Sequence, residues 1–518
     1  MRAFALLLLA AIAVAETNWD AAGKVWWSHV QFLADDKREG RNVGSAGFEA
    51  AADYVVGQFE RAGLEPGAKA NYSQPVGFTK STLNEAESQL MLGPERVALG
   101  DQALITSTTN VANLEAPLVF VGYGLDIPEV GYSDLKVEGL KGAIAVYLNG
   151  GPANISGELR SHHSSGGERA ASMKAAGVIG AIAIPNPRSM DIPWARQSAN
   201  RLQPRMALAD VALSGNNLEF SATWNPVRAD LLFQGSGHTI AEILDAADHD
   251  RPLAHFPLMK SLRARVTTTR EDVGSRNIVG IRPGSDRLLK NECVILSAHL
   301  DHLGVGEKVN GDGIFNGAMD DASGIASLIE IARALKTGKV KTKRSVVFLA
   351  VTGEEKGELG SRYFAEHSTA PGRIVADINM DMFLPLFPLK YLEVQGLNES
   401  TLGDDIRAVA SAVHVEIQAD KEPNANRFIR SDQYSFIKKG VPALAFKFGW
   451  ISGSPEEKVF RDWYRDRYHA VADDANQPVD LAAAAQFNSI LAALLERVAD
   501  AQQAPQWKPE SFFRRFAQ

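Results

Sequence analysis

The sequence predicts an α/β fold: a mixed, mainly parallel sheet sandwiched by helices, with a β-rich module inserted into it. Three observations carry this expectation. After about Arg270, continuous apolar runs alternate with helical segments, the pattern of a sheet covered on both faces. From about Leu118, short apolar runs are separated instead by glycine-rich turns. At 518 residues, 45% of them hydrophobic, the chain is long enough for more than one domain and a large core.

At the N-terminus, Arg2, the apolar run 3–14 and the small-residue triplet Ala13-Val14-Ala15 have the three parts of an export signal. Cleavage is expected after about Ala15, leaving a secreted or periplasmic protein. The run is too short to cross a bilayer comfortably as a helix, and no later segment reads as a membrane span. Residues 47–62 read as an amphipathic helix, with Phe48, Ala51, Ala52, Val55, Val56 and Phe59 on one face and Gly63 as its stop.

Within the module, 118–121, 143–148 and 178–184 read as buried strands, with a helix over about 168–176. Farther on, 294–298, 346–351, 374–378 and 441–446 read as strands, and 322–335 and 481–498 as helices. The expected organisation is a discontinuous main domain over 16–105 and 265–505, an insert over 106–264 and a tail over 506–518.

The net charge of −8 gives no electrostatic case for nucleic-acid binding; it reads as solubility. Cys293 is the single cysteine, so intrachain disulfides and thiolate clusters are excluded. It reads as a small core residue of a buried strand.

Four polar clusters follow predicted strands, where open α/β sheets collect ligands. They are His299-Leu300-Asp301-His302, Asp320-Asp321 before a helix, Glu354-Glu355, and Asn379-Met380-Asp381. Tyr468-His469 lies before the last long helix. Singly, such residues read equally well as helix caps, solvated first turns or core histidines. Together they are costly beside apolar strands unless a cation compensates them. Imidazole with carboxylate and no thiolate suits catalytic zinc.

These clusters resemble the motif set of the M28 family of zinc peptidases, which includes leucyl-type aminopeptidases and glutamate carboxypeptidases. The likeness begins at Leu33-Ala34-Asp35-Asp36 and Glu39-Gly40-Arg41 and reaches the last helix. It implies that His299 and Asp381 bind one zinc, Glu355 and His469 a second, and Asp320 both. It further implies that Glu354 is the general base and that Asp301 orients His299 without binding metal. Val121-Gly122-Tyr123-Gly124 and 139–144 resemble the protease-associated domain inserted in many members. Asp321 and Gln433 depart from the common asparagine and histidine, and the second departure bears on the substrate rim.

The resemblance implies a two-zinc mechanism. Ions roughly 3.5–4 Å apart polarise the scissile carbonyl and lower the pKa of a water between them. Glu354 would take that water's proton and deliver it to the leaving amine, and Tyr468 is the candidate oxyanion donor. Arg430 and Asp432, with Arg427 beside them, are candidate substrate-binding residues, an arginine there suiting a substrate carboxylate. His162-His163 reads as an exposed loop before it reads as a further metal site. His302 is left without a role.

The leading expectation is an aminopeptidase acting on peptides. Alternatives are a carboxypeptidase or dipeptidase of the same family, a one-zinc glutaminyl cyclase, and a metal-free receptor-like protein. All five expected ligands are present, which counts against the last two. Nothing in the sequence fixes an oligomeric state.

Overall fold

A computed structural model describes residues 18–517 except 70, 211, 214–217 and 426. The expected export signal lies outside the described residues. Near the N-terminus, the Asn18 side chain caps helix α1 (Trp19–Leu33), whose Trp26, Val30 and Leu33 recur at helical spacing and are buried. Ser45 caps α2 (Ala46–Arg61), which buries Phe48, Ala51, Ala52, Val55 and Phe59. Its end at Gly63, in the left-handed region with φ 71°, is the stop expected from the sequence.

The ten-stranded sheet comprises β1 (Glu65–Pro66), β2 (Ser73–Leu83), β3 (Arg205–Leu208), β4 (Thr268–Arg282), β5 (Glu292–His299), β6 (Ser345–Val351), β7 (Arg373–Asn379), β8 (Tyr391–Gln395), β9 (Glu416–Ala419) and β10 (Ala443–Phe448). Its spatial order is β3-β2-β4-β6-β5-β7-β10-β8-β9, with β1 paired to β4. The centre, β6-β5-β7-β10, is parallel. The β2–β4 side and the β10/β8 pair are antiparallel, so the sheet is mixed.

Both faces are covered. Val294, Leu296 and Ala298 join the core made with α1, α2, α3 (Ser323–Thr337) and α5 (Leu481–Asp500). Their alternates Cys293 and Ile295 pack with Phe364 of α4 (Leu359–Glu366) and with Phe436. Burial on both sides is why these strands read as unbroken apolar runs. Cys293 is fully buried, and burial pushes its thiol up to about 11. Among the described residues only α5 is long and apolar enough to cross a membrane; its Leu491, Leu494, Leu495 and Val498 are spent in the core.

A separate eight-stranded sheet has its own core around Phe120, Phe220, Trp224, Phe233 and Leu262. It includes Gln89–Leu92, Glu95–Arg96 and Ala103–Ile105, so the module starts upstream of the boundary expected at 106. Conversely β3, from within the expected insert, pairs with β2 in the large sheet, Met206 opposite Lys80. Strand partnership is a long-range property, and short strands between polar residues carry no local sign of which sheet they join. The chain enters and leaves the module along one ladder, β2 against β4, from Ser73↔Ile278 to Leu83↔Thr268.

His162 and His163 lie on helix Gly157–Ser164, not in an exposed loop. His162 Nδ1 is 2.6 Å from the Tyr434 hydroxyl, and His163 faces Glu129 at 3.0 Å. The 506–518 segment packs Trp507 and Phe513 against Phe428, Ile429 and Tyr434.

Arg41 connects the N-terminal segment to the ends of the central strands. Its buried guanidinium donates to the carbonyls of Leu33, Leu300, Asn316 and Gly317. Gly40 beside it has φ 64°, and an added Cβ would lie 2.3 Å from the Phe315 carbonyl oxygen, so only glycine fits. Arg41→Met should strand several buried acceptors at about 1–3 kcal/mol each. The denaturant midpoint should fall by the equivalent of more than about 3 kcal/mol; an unchanged midpoint would show that the four carbonyls find other donors.

Candidate metal centre

The five predicted ligands come from five different segments and meet at the carboxyl ends of β5, β6 and β7. His299 is the last residue of β5. Its Nδ1–H donates to the Asp301 backbone carbonyl at 3.0 Å, which leaves Nε2 bare and aimed at acids. Nε2 lies 3.1 Å from Asp320 Oδ1 and 3.7 Å from Asp381 Oδ1. Across the same aspartate, Oδ2 lies 3.3 Å from His469 Nε2. His469 Nε2 is also 3.2 Å from Glu355 Oε2. Asp320 thus turns one oxygen to each of two donor groups.

The donor set fits cations. Ligand atoms around a tetrahedral zinc with bonds of about 2.0–2.1 Å stand roughly 3.3–3.4 Å apart, and the separations here lie on both sides of that. His299 Nε2, Asp320 Oδ2, Glu355 Oε1 and Asp381 Oδ1 are buried without a properly aligned hydrogen-bond partner. Their distances bring them close but do not satisfy them, as expected of atoms that converge on an ion. His299, Asp320 and Asp381 form one group able to hold a metal ion, and His302, Asp320 and Glu355 another.

His302 is the residue sequence reasoning left without a role. It is fully buried, and its Nδ1 lies 2.7 Å from Glu355 Oε1 and 4.0 Å from Asp320 Oδ2. The first separation is that of a hydrogen bond rather than of two ligands on one ion, although the two groups are out of alignment for it. Asp473 was also missed. Its carboxylate accepts from the amides of Met319 and Asp320 at 3.0 and 3.1 Å, so it holds the backbone of Asp320. Only its spacing four residues after His469 could have flagged it.

Asp301 does orient His299, through its backbone carbonyl. The carboxylate accepts from the amides of Glu354 and Glu355 at 3.1 and 3.4 Å. A side chain two residues beyond a strand end points at the neighbouring strand's exit turn, and there it pins both glutamates. Asp321, beside Asp320, accepts from the amides of His299, Gly324 and Met382 and ties three segments together.

Glu354, Tyr468 and Arg430 line a cavity of about 280 Å³ together with Asp320, Glu355, Asp381 and His469. Asp432, expected at the substrate, is fully buried and does not line the cavity. Gln433 is held by Asn379 and by the Phe428 carbonyl. Arg430 donates to Asp191 and to the Ala425 carbonyl, both at 3.0 Å. Arg427 is held by Glu422 at 2.7 Å and faces Asp191 at 3.7 Å.

Charge is balanced by protons where no ion is present. Burial alone would lower the pKa of His299, but its contacts with Asp320 and Asp381 raise it well above the ordinary value. Burial opposes the charge on His469 too, yet Glu355 and Asp320 push it up to about 10. Burial raises Glu354 well above the carboxylate range, with Asp381 and Glu355 adding to it. Tyr468 is likewise raised by burial and stays a hydroxyl donor.

Residues 277–495 match the family model described as Peptidase family M28. Over 230 residues the chain is 30% identical to "probable leucine aminopeptidase 2" of Aspergillus oryzae, a match covering 40% of this chain and 42% of that protein. It is 24% identical over 222 residues to "Aminopeptidase YwaD" of Bacillus subtilis, 42% of this chain and 45% of that one. The chain therefore spans less than half the length of these curated relatives. The solved structure of an aminopeptidase from Aneurinibacillus sp. strain AM-1 is similar in fold, with TM-score 0.56, 19% identity and coverage of 93% and 95% of the two chains.

A metal must displace the two imidazole protons, because only neutral imidazole is a ligand. Zinc loading of metal-free protein at pH 7 should release about two protons per chain, read from the dependence of binding enthalpy on buffer. The sign for stability follows. His469 has a folded pKa above its unfolded value of about 6.5, so its charge stabilises the metal-free fold fully below pH ~6.5, a contribution lost as pH rises through about 10. Zinc uptake without proton release at pH 7 would contradict this account.

Proposed function

Residues 277–495 match the model of peptidase family M28, and on that footing we propose that this chain is an exported di-zinc aminopeptidase that removes N-terminal residues from peptides. The carrying observation is Asp320, with Oδ1 toward His299 and Oδ2 toward His469. That is the arrangement of a carboxylate shared by two ions. His299 and Asp381 would hold one zinc, Glu355 and His469 the other. Export rests on Arg2, the apolar run and the Ala13-Val14-Ala15 signature.

Bound zinc would supply Lewis acidity at the scissile carbonyl and make water acidic enough to lose a proton near neutral pH. The chain's own residues supply the rest. Glu354 sits in the cavity wall, where bound cations beside it would keep its carboxylate ionised. It is therefore suited to take a proton from the attacking water and return it to the leaving amine. The amide of Glu354 is anchored on Asp301, which keeps the base beside the reacting atoms without tying up its carboxylate. Tyr468, protonated and on the same wall, would donate to the developing oxyanion.

The leaving peptide has a place to lie. A second cleft of about 770 Å³ runs between the module and the large sheet, lined by Tyr147, Arg169 and Met173 on one side and by Glu355, Lys356 and His469 on the other. The two hollows meet at Glu355, Gly357 and His469. The arginines bear on the choice between exopeptidases. Arg427 and Arg430 already face Glu422 and Asp191, so a C-terminal carboxylate arriving there would meet cations whose charge is largely balanced. That favours an aminopeptidase over a carboxypeptidase.

One peptide tested with a free and with an acetylated amine decides this. Release of the first residue from the free form alone is expected; cleavage of the acetylated form would move the assignment to a carboxypeptidase or endopeptidase. Glu354→Gln should retain two zinc ions per chain by elemental analysis while kcat falls at least about 100-fold. Retained turnover would remove Glu354 from the base role.

A further inference from the structure

The floor of the smaller cavity is one face of the β8–β10 ladder. These strands are antiparallel, with Glu393 opposite Lys447 and Gln395 opposite Ala445. Alternation sends Leu392, Val394, Phe446 and Phe448 into the main core. The other face therefore carries Ala445 and three polar residues in otherwise apolar strands, Glu393, Gln395 and Lys447. Gln395, Ala445 and Lys447 line the cavity beside Met382 and Tyr464.

Two of these are buried donors with capacity to spare. Gln395 is 2% exposed and Lys447 4%. The Gln395 Nε2 is buried with no hydrogen-bond partner. Lys447 Nζ donates at 2.8 Å to the Asp381 backbone carbonyl, and an ammonium has three hydrogens to place. Gln395 and Lys447 are diagonal neighbours on one face, within reach of each other for long side chains. Ala445 between them leaves the space above the floor open.

We propose that this floor selects N-terminal residues whose side chain ends in a carboxylate or amide oxygen, glutamyl foremost, which Lys447 and Gln395 receive. The proposal rests on the aminopeptidase reading, since it places the first residue's side chain in the smaller cavity. A glutamyl carboxylate would accept a charge-assisted bond from Lys447 and a second bond from Gln395. A leucyl or methionyl side chain would fill the same space and leave an ammonium and an amide dry and unpaired. Sites built to hydrogen-bond a substrate group discriminate strongly against analogues that lack it. Glu393 does not cancel Lys447 fully: burial, aided by Asp420, pushes its carboxyl up to about 7.

The test is kcat/KM of the zinc-loaded enzyme on tripeptides X-Leu-Gly with free amines, X being Glu, Gln, Leu, Met or Lys. Glu and Gln are expected to exceed Leu and Met by at least about tenfold. Lys447→Met and Gln395→Leu should each raise KM for the glutamyl peptide and narrow that ratio. Inhibition of the unaltered enzyme by free glutamate more strongly than by norleucine is the matching expectation and needs no folded variant. Faster cleavage of the leucyl or methionyl peptide, or tighter inhibition by norleucine, overturns the selectivity alone. Cleavage of no free-amine peptide overturns the aminopeptidase reading beneath it. Cleavage of the acetylated peptides would reassign Lys447 to a C-terminal carboxylate.

Discussion

The structure depends on one electrostatic constraint: Asp320, Glu355 and Asp381 converge, buried, on two imidazoles. Backbone dipoles alone do not compensate three carboxylates gathered around imidazole nitrogens 3.1 to 3.7 Å away, and burial removes the water that would. The site is therefore stable only with cations in it or with its imidazoles charged. Every support around it serves to hold the acids against their mutual repulsion. Arg41 ties the β5 exit to the loop before Asp320, Asp473 grips the amides of that loop, and Asp301 grips the amides of Glu354 and Glu355.

The large sheet makes this convergence possible. Parallel neighbours β6, β5 and β7 end at the same edge, so their exit loops are brought side by side although far apart in sequence. The second sheet joins the site from outside. Arg196 donates to the carbonyls of Tyr468 and Arg465, which ties the module to the loop carrying His469. Asp191 sits between Arg427 and Arg430. The module thereby supports one ligand loop and walls the cavity, and the ladder from which it springs makes it continuous with the large sheet.

Much of this was legible from residues alone because the signals are local. The two-sided burial of 294–298 and 346–351 leaves an apolar run that a solvent-facing strand would not show. Gly63 ends α2 where the sequence calls for a stop. The acid and histidine clusters follow those strands directly, and the structure brings together all five residues expected as ligands. What was not legible was directional. Asp301 was expected to orient His299, and that the backbone carbonyl is the group that does so was not readable in advance. Asp432 was placed on the substrate side and is buried behind it. Which way a side chain or a peptide group points at a strand end depends on the neighbouring strand, which the local sequence does not contain.

The amino-acid sequence by itself determined the α/β class, the helices and central strands, the absence of thiolate chemistry and the residue types able to hold metal. These follow from hydrophobic period, capping chemistry and composition, all properties of a few consecutive residues. Tertiary structure alone decided that strands 89–105 leave the large sheet while 205–208 joins it, that Asp320 faces both donor groups, that His302 and Asp473 belong to the site, and that Gln395 and Lys447 floor its cavity. Each is a matter of register or pairing between segments up to hundreds of residues apart, and only the packed core fixes such pairings.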